Sequence, residues 1–309
     1  MKISAVIDVG TNAVKLLVAE VNGDLVRPVL ENNEQTRLGR GFYESHRLQP
    51  DAIRQTAKAV ARFASDAKAN GAGVIRAIAT SAAREAVNVR DLTDAVLELS
   101  GLTLEIISGD QEARLSFQGV SSDSTLAKYP LLILDVGGGS TEFILGAGRE
   151  ILLQRSFPIG AVRLMEKFPP NDPPGHRELA RCRAWLKDFF EKEILPEFLE
   201  PVTARLSQGL HLVGTGGTAS ILARMEHQMA TFDRDRIEAA TLSRLQVVAA
   251  TARLWSQPLA DRKKIIGLPP NRADVALFGA AIYASVMEEF GLPELRISTR
   301  GLRFAALLS

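Results

Sequence analysis

The sequence predicts an α/β protein made of two similarly folded halves, and three observations carry that expectation. Apolar runs rich in Val, Ile and Leu alternate with stretches of helical periodicity along the chain, the pattern that builds sheets covered by helices. A strand, a small polar loop and a second strand open the chain and recur in its middle. The two openings also share a string. Ala5-Val6-Ile7-Asp8-Val9-Gly10-Thr11-Asn12 matches Leu132-Ile133-Leu134-Asp135-Val136-Gly137-Gly138-Gly139 at an offset of 127 residues. A three-residue match alone arises easily by chance. One with matching flanks at a domain-sized interval points to an internal repeat.

Residues 3–9 and 13–21 read as strands split by Gly10-Thr11-Asn12, and 25–38 extends the meander. Residues 50–69 place Ile53, Ala57, Val60, Ala61 and Ala64 at helical spacing and end near Gly71. A strand at 74–79, a helix at 91–99 closed by Gly101, a strand at 104–107 and a helix at 110–120 follow. The small polar stretch Ser121-Ser122-Asp123-Ser124 reads as a linker. The pattern then restarts with strands at 131–136, 141–145 and 151–157 and a Pro-rich turn at 168–175. One long amphipathic helix is expected over 178–198. A strand at 210–213 leads into Gly214-Thr215-Gly216-Gly217 and a helix from Thr218. Helices dominate to about residue 289, then a strand at 295–298 and a last helix from Gly301. The expected domains are 1–124 and 125–299, with a terminal helix over 300–309.

Composition narrows the function classes. The chain has 309 residues, 46% of them hydrophobic, with 37 Lys plus Arg against 36 Asp plus Glu. It is long enough for two ordinary domains with full cores. A net charge of +1 argues against a broad duplex-binding face but leaves room for a local anion site. Cys182 is the only cysteine, so no internal disulfide and no thiolate zinc cluster can form. No apolar run reaches the ~20 residues that span a bilayer. No nucleic acid, no membrane and a cytoplasmic setting are the expectations.

Three glycine loops could carry chemistry. In Asp8-Val9-Gly10-Thr11-Asn12, successive N–H groups can point into one anion-binding concavity. Thr11 and Asn12 add side-chain donors. An Asp at a strand end suits a hydrated Mg²⁺. The same residues also suit an ordinary hairpin turn. Asp135-Val136-Gly137-Gly138-Gly139-Ser140-Thr141-Glu142 says more, since a hairpin needs fewer than three glycines and their surplus costs chain entropy. Neither loop opens a helix, so neither fits a nucleotide P-loop or a dinucleotide fingerprint. The third, Gly214 to Thr218, does open a helix and so favours anions, although Thr215 or Thr218 could equally be a cap.

Ser108 and Gln111 have the spacing of a capping box, which puts Glu112 in a first helical turn. There it suits either the helix dipole or catalysis. Arg84 in Thr80-Ser81-Ala82-Ala83-Arg84 would lie in the first turn of another helix if Thr80 or Ser81 caps it, where a cation suits a nearby anion; extension into solvent or a pair with a distant acid is the alternative. The four histidines, His46, His176, His211 and His227, have no metal-ligand spacing, and no GxSxG elbow is present. Carboxylates, glycine loops and arginines remain, which is the chemistry of phosphoryl groups with Mg²⁺.

Taken together, residues 7–12, 79–86, 108–114, 135–142, 214–219, 272–275 and 298–303 resemble the exopolyphosphatase/guanosine pentaphosphate phosphohydrolase family. That family lies within the actin, hsp70 and sugar-kinase superfamily, with a two-domain, ribonuclease H-like fold. The resemblance implies a central interdomain cleft, a final helix returning to the first domain, and a homodimer. It implies Mg²⁺-dependent hydrolysis of the terminal phosphate of inorganic polyphosphate, or alternatively of guanosine pentaphosphate. A non-catalytic polyphosphate or nucleotide sensor is the remoter alternative, and the match around Arg84 and Glu112 disfavours a kinase.

By the same resemblance Glu112 is the general base, with Arg84 and Glu142 beside it in catalysis. Asp8 and Asp135 are the metal residues. Gly10, Thr11, Asn12, Gly137, Gly138, Gly139, Ser140, Thr141, Gly214, Gly216 and Gly217 line the phosphate cradle. Arg37, Arg40, Arg262, Lys263, Lys264, Arg300 and Arg303 are expected supporting cations. The family usually has two acids where this chain has Gln111-Glu112. The resemblance is to its short, two-domain type.

Overall fold

The computed structural model describes residues Lys2–Leu308. These form two compact units. The first comprises the residues up to Ser122 and those from Arg300, and the second is Asp123–Thr299.

The first unit opens with β1 (Lys2–Val9), β2 (Val14–Asn22) and β3 (Leu25–Glu34), a meander of antiparallel pairs. Helix α1 (Pro50–Ala69) starts with proline, whose missing N–H costs nothing at a helix start. It is followed by β4 (Val74–Ala79), α2 (Ser81–Glu85), α3 (Val89–Ser100), β5 (Leu104–Ile106) and α4 (Gly109–Ser121). The sheet order is β3-β2-β1-β4-β5, with β1, β4 and β5 parallel. β3 is an edge strand and carries Pro28 beside a bulge between Val18 and Ala19 on β2, the setting in which a sheet tolerates proline.

Strand alternation sorts β1 between two cores. Ala5, Ile7 and Val9 pack with Ile53, Val60, Phe63, Leu92 and Val96 from α1 and α3. Val6 faces the other way, with Leu17, Ile78 and Leu115 and with Leu302 and Phe304 from the chain's end. Asp8 shares the parity of Val6 and so lies on this second face, the one α4 covers.

The second unit runs through β6 (Pro130–Val136), β7 (Thr141–Ala147), β8 (Glu150–Phe157), α5 (Ala161–Lys167), α6 (His176–Phe189) and α7 (Leu195–Leu206). Then come β9 (His211–Thr215), α8 (Gly216–Glu226), α9 (Arg234–Glu238), β10 (Thr241–Ser243) and α10 (Arg244–Ser256). α11 (Leu259–Arg262), α12 (Ala276–Glu289) and β11 (Glu294–Ile297) complete it. The sheet order is β10-β11-β9-β6-β7-β8. Helix α12 is buried nearly all round, as its uniformly apolar sequence requires. The last helix, α13 (Leu302–Ala306), belongs to the first unit and packs on α4. A Cβ on Gly119 would run into the Arg300 and Gly301 carbonyls, so glycine lets these two segments meet.

Leaving out the added edge strand β10, the two sheets have one topology. Each places its third, second, first, fourth and fifth strands in that order, the first three antiparallel and the last two parallel to the first. The correspondence reaches single residues. The bulge between Val18 and Ala19 has its counterpart between Leu145 and Gly146, at the sequence offset of the repeat.

Three expectations are corrected. The single helix over 178–198 is two helices, α6 and α7, joined by a π-helical stretch, Phe190–Ile194. Pro196, at the start of α7, has no N–H to continue the ladder, which loosens the turn before it. Phe190 from this stretch and Phe198 from α7 pack edge-on against Phe143 under the sheet, so burial supports the bulge. The third glycine loop is shorter than expected, because Gly214 and Thr215 complete β9 and the helix starts at Gly216. β10 was not anticipated; three residues are too few to show a period.

Candidate active site

In the first unit, the turn after β1 is closed by Gly10 N–H donating to Ala13 O at 3.0 Å. The Thr11 and Asn12 carbonyls are taken by the N–H groups of Gly39 and Arg37, at 2.7 and 3.0 Å. The N–H groups of Thr11, Asn12 and Ala13 donate to no backbone carbonyl among the described residues, so the turn keeps its donors together, as an anion nest requires. The Thr11 hydroxyl oxygen accepts from Ala82 N–H of α2 at 3.3 Å. Gln35 Nε2 donates to Asn12 Oδ1 at 3.1 Å and so orients the amide. Asn12 Nδ2 is left buried without a partner, a donor that a phosphate oxygen would satisfy.

Glu112 lies in the first turn of α4, 8% exposed. Ser108 and Gln111 form the capping box the spacing predicted, with reciprocal bonds of 3.1 and 2.8 Å. Arg84 Nη1 donates to Glu112 Oε2 at 2.9 Å and to Ile107 O at 3.2 Å. The anion beside Arg84 is thus a carboxylate 28 residues away. α2 is only five residues long and serves to aim that guanidinium. Asp8 is largely buried, with Lys15 Nζ 3.7 Å from its Oδ2. The two residues are direct cross-strand partners on β1 and β2.

The second unit repeats the turn. Gly137 N–H donates to Ser140 O at 3.0 Å, the counterpart of the Gly10 bond. The start of α5 covers the back of the loop. Ala161 N–H reaches Gly137 O at 3.0 Å, Val162 N–H reaches Gly138 O at 2.8 Å, and Arg163 Nε reaches Gly139 O at 2.7 Å. A Cβ on Gly160 would lie 2.5 Å from Gly138 O, so glycine permits that approach. The N–H groups of Gly138, Gly139 and Ser140 donate to no backbone carbonyl among the described residues. The Thr141 hydroxyl donates to Ile159 O at 2.7 Å, which commits it to holding the loop.

Asp135 and Glu142 are cross-strand partners on β6 and β7. Glu142 is 1% exposed and accepts at Oε1 from the Ser156 hydroxyl at 2.7 Å. Gly216 has φ of +82°, and a Cβ there would collide with the Asp135 carboxylate. Glycine is needed at that point twice over, for conformation and for space. Gly217 opens onto free space, whereas Gly214 makes room for Tyr283, whose ring would be 3.0 Å from a Cβ. The Tyr283 O–H lies 3.1 Å from Leu134 O and 3.3 Å from Thr215 O. Burial, reinforced by the Asp135 carboxylate, holds its ionisation well above the usual tyrosine range. Thr215 caps α8 through its backbone alone, and its buried Oγ1 has no partner. Thr218 instead donates to Val136 O at 3.3 Å.

No group of three or more His, Cys, Asp or Glu side chains suited to a metal occurs among the described residues. Mg²⁺ does not need one, since it usually takes one or two carboxylates and completes its shell with water and phosphate oxygens. A cross-strand carboxylate pair, with a Cβ kept away from one member by Gly216, fits such an ion.

The expected supporting cations divide. Arg303 donates to Leu16 O at 2.8 Å and lies 3.3 Å from Glu31, Arg40 pairs with Asp51, and Lys264 pairs with Asp261. Arg262 is buried. Its Nε and Nη1 have no hydrogen-bond partner among the described residues. The sequence reading missed Lys15, Gln35, Ser156, Arg163 and Tyr283. Only Lys15 carried a signal, because it stands one repeat offset before Glu142.

The model of the Ppx/GppA phosphatase family matches residues 17–309. The chain is 32% identical over 321 residues to an exopolyphosphatase 2 of Mycobacterium tuberculosis, covering 99% of this chain and 97% of that one. A crystal structure of an exopolyphosphatase from Cytophaga hutchinsonii superposes with a TM-score of 0.86 at 25% identity, covering 99% and 96% of the two chains. A Ppx/GppA enzyme of Aquifex aeolicus does so with a TM-score of 0.77 at 29% identity, covering 99% of each.

Proposed function

We propose, because the chain belongs to the Ppx/GppA phosphatase family, that this phosphatase hydrolyses the terminal phosphate of inorganic polyphosphate, with Glu112 as the general base. The observation that carries the assignment is the Arg84–Glu112 pair. It presents a sheltered carboxylate, oriented by a guanidinium, at the start of α4. Exopolyphosphatase relatives matched over nearly the whole chain support the substrate class.

Phosphoryl transfer needs positioning and charge neutralisation more than covalent help. The Glu112 carboxylate takes a proton from the attacking water. The water oxygen bonds to the terminal phosphorus as the bridging P–O bond breaks, and the leaving oxygen departs on the shortened chain. In each unit the turn N–H groups are offered to phosphate oxygens, those at 11–13 with Asn12 Nδ2 in the first and those at 138–140 in the second. Arg84 holds Glu112 in line and opposes the charge that develops in the transition state. Asp8 and Asp135 are the strand-end carboxylates offered to Mg²⁺, with Glu142 beside Asp135. When bound, the ion draws negative charge from the phosphate oxygens.

Guanosine pentaphosphate would use the same groups and differ only in its leaving group. Phosphate release with Mg²⁺, measured in parallel on short polyphosphate, long polyphosphate, guanosine pentaphosphate and ATP, separates the readings. Release from polyphosphate is expected to lead. Faster release from guanosine pentaphosphate would move the assignment to that substrate. Binding without release from any of them would make the protein a sensor.

A further inference from the structure

The three N–H groups of the second turn belong to peptides whose carbonyls are all held from behind. In a trans peptide the C=O and N–H point to opposite sides, so a donor that fixes a carbonyl also aims the N–H of the next residue. Ala161 N–H holds Gly137 O and so aims the Gly138 N–H. The Val162 and Arg163 N–H groups both hold Gly138 O, at 2.8 and 3.1 Å, and aim the Gly139 N–H. Arg163 Nε holds Gly139 O at 2.7 Å and aims the Ser140 N–H. A Cβ on Gly160 would lie 2.6 Å from Gly139 N, so glycine lets α5 come this close. The first turn is held differently. Thr11 O and Asn12 O accept from the backbone N–H groups of Gly39 and Arg37, and these donors carry no charge.

We propose that Arg163 is a positioning residue that acts through the Gly139–Ser140 peptide. Without touching substrate, it makes the Ser140 N–H a stronger phosphate donor than a neutral anchor would. The inference rests on the reading of these N–H groups as a phosphate cradle. Its physical basis is local. The Arg163–Gly139 distance of 2.7 Å lies in the range of charge-assisted bonds. A guanidinium drawing on the carbonyl polarises the whole peptide, and a polarised N–H donates more strongly to its own acceptor. The bond also sets the peptide plane before substrate arrives, so the donor needs no reorganisation on binding. Arg163 is itself fixed at its root, because its backbone N–H is bound to Gly138 O. One half-buried residue thus clamps two successive carbonyls. An anion at the Ser140 N–H would also feel the guanidinium charge across a single peptide, in a setting that water screens less than a surface.

The test follows the Ser140 amide by nuclear magnetic resonance in the full chain, labelled with ¹⁵N at serine, as inorganic phosphate is titrated. Ser140→Ala assigns the signal. In wild type the amide proton should move downfield as phosphate saturates. Arg163→Met, which keeps the stem but removes donor and charge, should lose most of that movement and bind phosphate about 10-fold more weakly. Arg163→Lys, a donor with charge, should recover part of the affinity. Arg163→Gln, a donor without charge, should bind more weakly than Arg163→Lys. Four results would each overturn the proposal: no movement of Ser140 in wild type, wild-type movement and affinity in Arg163→Met, equal affinity in Arg163→Gln and wild type, or a lower Tm with phosphate affinity unchanged. If Arg163→Met does not fold, Arg163→Gln against Arg163→Lys decides it. Polyphosphate hydrolysis is read separately. Phosphate bound at Ser140 in a wild type that hydrolyses nothing would fail the proposed function and leave the role of Arg163 standing.

Discussion

Glu112 reaches its position through α4, and its orientation through Arg84. The guanidinium donates to Glu112 Oε2 and to the Ile107 carbonyl, which ties the carboxylate to the end of the preceding strand. An amine at that place would keep the charge and lose the fixed fork geometry. Arg84→Ala is expected to lower kcat by about 10²-fold with a smaller change in KM, and Arg84→Lys to recover part of it. Steady-state kinetics on polyphosphate check both. Gly216 gives a second residue-scale prediction. An alanine at φ of +82° meets both strain and the Asp135 carboxylate. Gly216→Ala should cost about 1–2 kcal/mol in denaturant unfolding and depress activity further than that loss explains. Cys182 is a negative control at this scale. Burial pushes its thiol up to about 12, and none of it is exposed. The native protein should stay unreactive to a disulfide-exchange reagent at pH 8, and the unfolded chain should titrate one thiol.

Helix boundaries carry the element-scale predictions. Glu178 accepts from Asn171 N–H at 2.8 Å and from Gly175 N–H at 2.7 Å at the start of α6. These two bonds hold its carboxyl below the ordinary value of 4.5. A depressed folded value means stability that is present above the unfolded value and lost as pH falls through the folded one. Glu178→Gln should therefore lower Tm at pH 7, with the gap to wild type closing as pH falls below about 4.5. Equal gaps at pH 7 and pH 3 would contradict the cap. At the other end of the chain, Gly119→Ala pushes a methyl group into the backbone leading to α13. A loss of about 1–3 kcal/mol in urea unfolding is expected from overpacking.

Elements were readable from sequence where one signal was strong. Pro50 and the alanine periodicity fixed α1, and Ser108 with Gln111 fixed the start of α4. Where two signals competed, one was lost. The amphipathic pattern across residues 178–198 concealed the effect of Pro196, and Gly214 looked like loop although it is strand. Long-range pairs such as Arg84 with Glu112, Gln35 with Asn12 and Ser156 with Glu142 leave no local trace, because nothing in a side chain's neighbours in sequence records its partner across the fold.

At the scale of the molecule, the repeat organises the chain. It was visible as Asp-Val-Gly strings 127 residues apart, and the two sheets carry it through strand order, turn bonds and bulge position. Identity of residues revealed the repeat, and strand register then paired Asp8 with Lys15 and Asp135 with Glu142. No helix among the described residues is long and apolar enough to cross a membrane. The first unit is assembled from both ends of the chain. Leu302, Phe304, Ala305 and Leu307 complete the apolar face of its sheet. Removal of residues 300–309 should expose that face and give a dye-binding, aggregating product, whereas a native thermal transition in the truncated chain would show that α13 is dispensable.

Everything proposed for the reaction turns on Glu112 supplying the base for hydrolysis of a phosphoanhydride. Its most direct test is single-turnover phosphate release from short polyphosphate with Mg²⁺, comparing wild type with Glu112→Gln at equal binding saturation. The expected result is a loss of about 10²–10⁴-fold in the hydrolytic step with polyphosphate still bound. Hydrolysis by Glu112→Gln at the wild-type rate would contradict it.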